Sequence, residues 1–369
     1  MRALLLAIAV LASSGCPRRR GAGGDDPPTD PYPGREARLS GVLARELEIE
    51  VLEGYELPTL DLGVPATSVS RRVGAVQFGV GTDDVHVGDE GQIERWPLLP
   101  VGDGMRLDEV QSKRLEMHLA EDLTTAWVAD EVSYRVPGCR AADGSYRTLV
   151  VPLRVTGVYV RDGERWVQVL EHVSYPQRVA DLVRRPPRKT TVKLRNGMDP
   201  RPEVRPAITA MQRALSVAQT PVDRQVLFAT DPTALAMWPF EPELRASAIV
   251  QAAGLAESFD AVEIELDRYR IGMSPDPTGG VGGGTVAWMA ALLRVDARRQ
   301  VDGVDEVVPL YLRASYVLEL RNVDGTLRWQ IIQSHVSAPL DDRELLAAIM
   351  GEAEVSNEDD PWPWARPCE

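Results

Sequence analysis

Leu39, Leu43, Leu47 and Val51 recur every four residues, the spacing of one helix face. Glu46–Val51 also alternates Glu with Leu, Ile and Val, as a strand does, but Glu and Leu are good helix formers and favour the helix. Ala66–Val73 and Gly88–Trp96 suit short helices, the second stopped by Pro97, and Ala75–Phe78 suits a short apolar strand. The period then falls to two. Arg114–Leu119 alternates, with Leu115, Met117 and Leu119 on one side; Ala126–Val136, Tyr146–Arg161 and Arg165–Tyr175 are β-rich, and Asp162-Gly163 between the last two is a hairpin signal. A similar sequence of patterns follows the stretch 184–205, which is rich in proline and basic residues. Pro206–Ala218 sets Ile208, Met211, Leu215 and Ala218 at helical spacing; Pro242–Ala253 is a second helix, closed by Gly254. Strands are predicted at about 259–273, 285–297, 307–321 and 327–337. Asp341 caps a closing helix to Met350.

The repetition extends to individual residues. Trp166–Pro176 reads WVQVLEHVSYP and Trp329–Pro339 reads WQIIQSHVSAP, so Trp, five residues, His-Val-Ser, one residue and Pro occur twice. Ala126-Trp127 recurs as Ala287-Trp288, and Val226–Ala229 matches Val76–Gly79. Landmarks that hold nearly the same offset imply one fold unit used twice. The chain divides accordingly into 1–16, 17–34, 35–183, 184–205, 206–351 and 352–369: leader, tether, first domain, linker, second domain and acidic tail.

Gly81-Thr82-Asp83, Ala126-Trp127, Asp162-Gly163-Glu164-Arg165-Trp166 and His172-Val173-Ser174 resemble the SnoaL-like branch of the nuclear transport factor 2-like superfamily. Thr230-Asp231, Ala287-Trp288, Gly325, Trp329 and His335-Val336-Ser337 carry the same resemblance in the second half. It implies an α+β protein of two cone-like domains, each a curved antiparallel sheet wrapped around N-terminal helices. Single-domain members of this superfamily pair through their sheets, so an intramolecular pseudo-dimer is expected. The superfamily holds isomerases, cyclases and dehydratases beside non-catalytic binding modules, so fold alone does not supply the chemistry.

Composition narrows the partners. At 369 residues with 44% hydrophobic content the chain can bury two cores. A formal charge of −14 argues against nucleic acid, which draws on a concentrated positive field. Met1–Cys16 has a basic start, an apolar run from Ala3 to Ala12, small residues and then Cys16. It resembles a bacterial lipoprotein signal with Cys16 as the lipidated residue. That places the protein in the cell envelope, anchored to the outer or inner membrane and facing the periplasm or exterior. Residues 17–34 read as a disordered tether. Cys139 and Cys368 either pair or stay free thiols.

Strand parity puts Trp166, Gln168, Leu170, His172 and Ser174 on one sheet face, and Trp329, Ile331, Gln333, His335 and Ser337 on its counterpart. Trp, Gln, His and Ser together suit either a cavity wall or a core whose polar groups bond neighbouring strands. The candidate ligand-binding residues are therefore Trp127, Tyr159, Trp166 and His172, with Trp288, Trp329 and His335. A small apolar ligand or a protein partner is expected, and a non-catalytic module is the leading reading. The alternative is an isomerase-, cyclase- or dehydratase-like enzyme using His172 for proton transfer, with Asp130, Tyr159 and Glu171 as helpers, although parity sets Glu171 on the opposite face. Asp83 and Asp84 fit a turn, Gly279–Gly284 fits a hairpin connection, and the basic linker reads as solvated chain that could touch anionic lipid. Trp362 and Trp364 in the tail could dock on a partner or fold back. No two of His86, His118, His172 and His335 stand at metal-ligand spacing, and no cofactor is expected.

Overall fold

The computed structural model describes residues 35–55, 75–88, 109–177, 181–182, 189, 194, 197–198, 204–217, 229, 234–237, 260–275 and 283–350. Helix α1, Arg35–Tyr55, confirms the four-residue spacing, and Leu43, Leu47, Val51 and Tyr55 form its buried side. Strands β1 (Ala75–Phe78), β2 (Val85–Gly88), β3 (Glu109–Ser112), β4 (Glu116–Leu119), β5 (Thr125–Arg140), β6 (Tyr146–Asp162) and β7 (Arg165–Ser174) follow. They make one sheet in the order β2-β1-β7-β6-β5-β3, with β4 also pairing β5.

The second half starts with β8 (Gly197–Met198), α2 (Val204–Val217) and β9 (Leu235–Met237). β10 (Ala261–Pro275), β11 (Gly283–Val301), β12 (Val304–Val323), β13 (Thr326–Ser337) and α3 (Asp342–Met350) complete it. Its sheet runs β8-β10-β11-β12-β13-β9. The fold is thus α+β with two curved sheets, and β1-β7-β6-β5 and β9-β13-β12-β11 share one order. The meanders are antiparallel, but each ends on a parallel strand, β1 beside β7 and β9 beside β13. Phe78 lies opposite His172 as Met237 lies opposite His335. The counterpart of β1 is therefore Leu235–Met237 and not Val226–Ala229, of which only Ala229 is described. The helices expected at Ala66–Val73 and Pro242–Ala253, and at Gly88–Trp96 beyond Gly88 itself, lie outside the described residues, as do Cys16, Cys368, Trp362 and Trp364.

Tight turns let the strands run longer than the sequence pattern suggested. Asp302-Gly303 (φ 53° and 79°) and Asp324-Gly325 (φ 50° and 81°) both have two successive left-handed residues, the turn that matches strand twist. Asp341 caps α3 reciprocally: its Oδ1 accepts from the Glu344 N–H at 2.7 Å, while its own N–H donates to Glu344 Oε2 at 3.0 Å.

Each sheet covers its own helix. Leu43, Leu47, Val51 and Tyr55 of α1 pack with Val128, Val155, Tyr159 and Trp166, and the Trp166 indole N–H donates to the Leu43 carbonyl at 3.2 Å. Val204, Ile208 and Met211 of α2 pack with Met289, Leu312, Tyr316, Leu318, Trp329 and Ile331. The segments that leave the two sheets are exchanged. Leu182, just after β7, is buried in the second core, and Leu345 of α3 is buried in the first. These two leucines stand at the same place in the repeat, 163 residues apart, as do His172 and His335. Ser40–Glu369 accordingly forms one compact unit; of the other, Met1–Leu39, only the start of α1 is described.

Candidate functional site

An irregularity shared by both halves decides which residues meet. β6 and β7 pair Tyr159 with Gln168 and then Val158 with Leu170, so Val169 is an extra residue. β12 and β13 pair Leu318 with Ile331 and then Val317 with Gln333, so Ile332 is the matching extra residue. A bulge puts two successive side chains on one face and reverses parity beyond it. Trp166 and Gln168 therefore face the interior of the first cone, while Leu170, His172 and Ser174 face the other sheet. In the second half Trp329 and Ile331 face inward, and Gln333, His335 and Ser337 face across. The single shared face expected from parity is corrected: the candidate residues separate into two sites. Tyr159 and Trp166 join the first core and Trp329 the second, whereas Trp127, Trp288, His172 and His335 lie in the contact between the sheets.

That contact is built from equivalent residues of both halves. Val76, Phe78, Trp127, Val158, Leu170, Trp288, Leu292, Val317 and Ile332 form one apolar cluster. At its polar centre the rings of His172 and His335 stack with centroids 3.8 Å apart and planes 17° apart. His172 places Nδ1 3.1 Å from Ser315 Oγ and Nε2 2.7 Å from Ser337 Oγ. His335 places Nδ1 2.9 Å from Thr156 Oγ1 and Nε2 2.7 Å from Ser174 Oγ. Each imidazole is thus held by hydroxyls of the other half, and Thr156 and Ser315 approach within 3.4 Å between them. Gln333 adds a bond across, donating to the Val128 carbonyl at 2.9 Å. His172 is pushed well below the usual imidazole pKa by burial, with His335 and Arg313 adding to it; His335 is lowered by burial and by Arg154. Both rings are neutral and fully enclosed, and His172 has no ring nitrogen left for a substrate.

Arg313 crosses the same contact. Its Nη1 donates to the Gly79 carbonyl at 2.8 Å and its Nη2 to the Thr82 carbonyl at 2.6 Å, and its guanidinium lies 5.8 Å from the Phe78 ring centroid. Burial lowers its pKa to about 10, although Asp84 and Asp83 oppose the fall. Asp84 Oδ2 accepts from the Gly81 N–H at 2.7 Å, in keeping with the expected turn role. The buried cation therefore fastens the β1–β2 turn of the first half to the second.

The other site is the interior of the first cone. Asp130 on β5 is fully buried; its Oδ1 accepts from the Arg114 N–H at 3.0 Å. Burial pushes its pKa up to about 6, against the pull of Ser112, the Arg114 N–H and Tyr55. Its Oδ2 receives no hydrogen bond of normal geometry. On β7, Glu171 accepts from Gln77 Nε2 through Oε2 and from Gln168 Nε2 at 3.2 Å through Oε1. Gln168 Nε2 also donates to the Tyr159 hydroxyl at 3.1 Å. Gln77 Oε1, buried beside them, has no donor. Gly157 makes room on this face: a Cβ there would lie 3.0 Å from the Tyr159 ring and 3.2 Å from Gln168 Nε2.

Register gives each of these residues a counterpart in the second half, and there the carboxyl and amide groups are gone. Asp130 corresponds to Ala291, Gly157 to Tyr316, Tyr159 to Leu318, Gln168 to Ile331, Glu171 to Ser334 and Gln77 to Ala236. Repetition drew attention to Trp and His, and so missed Gln77 and the central place of Asp130, although parity had set Gln168 beside Trp166. The available signal was the opposite one, polar residues that fail to repeat. Cys139 is disulfide-bonded, and both other cysteines lie outside the described residues. Among the described residues no helix is long and apolar enough to cross a membrane, and no three His, Cys, Asp or Glu side chains are grouped to hold a metal.

No family model and no curated protein matches the chain. Solved structures match it over about a third of its length. A nuclear transport factor 2-like superfamily protein from Salmonella enterica serovar Typhimurium is 18% identical, over 36% of this chain and 87% of its own, with a TM-score of 0.28. An NTF2-like protein of unknown function from Pseudomonas putida is 17% identical over 38% and 86%, with a TM-score of 0.26. A protein with a cystatin-like fold from Caulobacter vibrioides is 15% identical over 40% and 91%, with a TM-score of 0.27.

Proposed function

We propose that this chain is a tandem SnoaL-like protein of the nuclear transport factor 2-like superfamily, anchored by a lipid on Cys16 to a bacterial envelope membrane. In this reading it is a non-catalytic binding module: its halves act as a built-in dimer, the first cone takes a small ligand and the second is structural support. The carrying observation is the asymmetry of the two interiors. A buried carboxyl with one oxygen short of a well-formed hydrogen bond costs on the order of 1–3 kcal/mol, and the second half, with Ala291 in the equivalent place, folds without one. A costly group that the fold does not require is best accounted for by what it binds. The leader sequence and the disulfide at Cys139 support an oxidising compartment outside the cytoplasm.

The second reading, proton transfer on a small organic molecule, has one observation in its favour. A carboxyl with its pKa raised to about 6 inside an aromatic interior is a competent base. It would run on Asp130, since His172 is bonded at both nitrogens and faces away from that interior.

Native mass spectrometry of the mature protein from its own host tests the site. An adduct present in the wild type and lost when Gly157→Tyr and Tyr159→Leu copy the second half is the expected result. A bare mass in both sinks the reading. Membrane fractionation tests the anchor: Cys16→Ala is expected to move the protein out of the membrane pellet, and an unchanged distribution overturns the anchor.

A further inference from the structure

Among the described residues, the interior of the first cone is rich in acceptors and holds no buried cation. Gln77 Oε1 is buried without a hydrogen-bond donor, Asp130 Oδ2 has none of normal geometry although Ser112 and Tyr55 lie close, and buried acceptors in folded proteins are normally satisfied by protein, water or ligand. Glu171 adds a second carboxylate on the same face. From strand spacing, the Cα atoms of Asp130 and Glu171 lie roughly 12 Å apart, so both can reach one small molecule. The buried cations and imidazoles among the described residues, Arg154, His172, Arg313 and His335, all point the other way, into the contact between the sheets. Arg161, at the rim, is partly exposed and already paired with Glu46 at 3.0 Å. The walls are aromatic: Tyr55, Tyr134, Tyr159 and Trp166 belong to this core. Arg161 reaches over Trp166 from the rim, 5.7 Å from its ring centroid, while the carboxylates and the tyrosine rings have no buried cation among the described residues and make the complement of a positively charged organic group.

Resting on the reading of the first cone as a binding site, we infer that its ligand is a small organic ammonium compound with an apolar body. The ammonium donates to Asp130 and Gln77 Oε1, and Glu171 supplies further negative charge. Proton balance follows from the geometry. The titratable groups facing Asp130 are Tyr55 from α1, Tyr134 on its own strand, Tyr159 from β6 and Glu171 from β7; β3 offers Ser112 and the chain beyond it the Arg114 N–H. Burial holds Asp130 protonated to higher pH than an ordinary carboxyl, so it is the group that must lose a proton to meet the ammonium. Affinity for the amine therefore rises with pH through the range where Asp130 ionises.

Calorimetric titration of the mature chain with 2-phenylethylammonium, 2-phenylethanol and phenylacetate tests this, because the three differ in charge far more than in size. At about pH 7.5 the amine is expected to bind at least about tenfold more tightly than the alcohol, and to weaken at least about fivefold by pH 5. Asp130→Asn and Glu171→Gln keep shape and are each expected to weaken the amine at least about fivefold while leaving the alcohol unchanged. Equal or tighter binding of the alcohol or phenylacetate, abolished by Gly157→Tyr with Tyr159→Leu, overturns the ammonium class and leaves the site standing. Binding that ignores that double substitution, or no binding by any of the three, counts against both.

Discussion

At the residue scale, the histidine pair behaves as a clasp whose hydrogen-bond arithmetic restricts its protons. Thr156 and Ser315 each have one hydroxyl proton and lie 3.4 Å apart, a long contact that a bridge between them would use. A bridging hydroxyl cannot also donate to its imidazole, so with the bridge formed at least one of His172 and His335 has its proton on Nδ1. Nitrogen-15 shifts of the ring nitrogens check this; two Nε2–H tautomers would contradict it. The clasp also sets a pH response. Both histidines have pKa values lowered in the folded chain, so below about pH 6.5 the unfolded state takes up protons that the folded state refuses. Stability is complete above that pH and is lost as pH falls, by up to about 1.4 kcal/mol per unit for each ring. Asp130 runs the opposite way. Its pKa is raised to about 6, so it costs stability as pH rises from about 4 to 6 and remains ionised at a penalty above. Asp130→Asn is therefore expected to raise stability at neutral pH by about 2 kcal/mol in urea unfolding, while weakening the ligand. A loss of stability would mean that the carboxylate belongs to the fold.

At the element scale, much of the architecture was legible because strand alternation, Asp-Gly turns and helix caps are local. The Asp341 cap, the hairpins and the burial of α1 follow from residues close in sequence. The single shared face failed because Val169 and Ile332 look like ordinary strand residues, and a bulge arises only when a partner strand is laid beside them. The divergent interior was visible as single residues but needed register to become a comparison: Asp130 against Ala291 carries meaning only once β5 and β11 are aligned. The exchange of Leu182 and Leu345 had no local signal at all, since each leucine is an unremarkable apolar residue near a segment end. Deleting Ile332 removes the extra residue and the bulge together, so Ile331 stays inward and Gln333, His335 and Ser337 still face the first half. The expected outcome is a cooperative melt in circular dichroism, with stability lowered by about 2–4 kcal/mol for the lost buried side chain. Loss of the cooperative transition would show that the bulge itself is required.

At the scale of the whole molecule, the exchange and the clasp make the halves interdependent. Leu182 fills the second core and Leu345 the first, Arg313 holds the first half's β1–β2 turn, and the hydroxyls on each sheet satisfy the other's imidazole. Cutting the chain at the linker would expose both histidines' partners and an apolar sheet face on each piece. Two domains joined only by a tether would unfold in two steps or at least with a calorimetric enthalpy exceeding the van't Hoff value. This chain is expected to give one transition with the two enthalpies equal. Leu345→Ala, a cavity at one end of the exchange, should lower the stability of the entire molecule by about 2–4 kcal/mol and should not melt the first sheet alone. Hydrogen exchange makes the distinction directly. Slow amides on β6 and β12 are expected to lose protection together in that variant, because global unfolding is their shared route to exchange. Protection lost on β6 with β12 unchanged would mean that the second half stands by itself, and that the duplication produced two neighbours instead of one interlocked body.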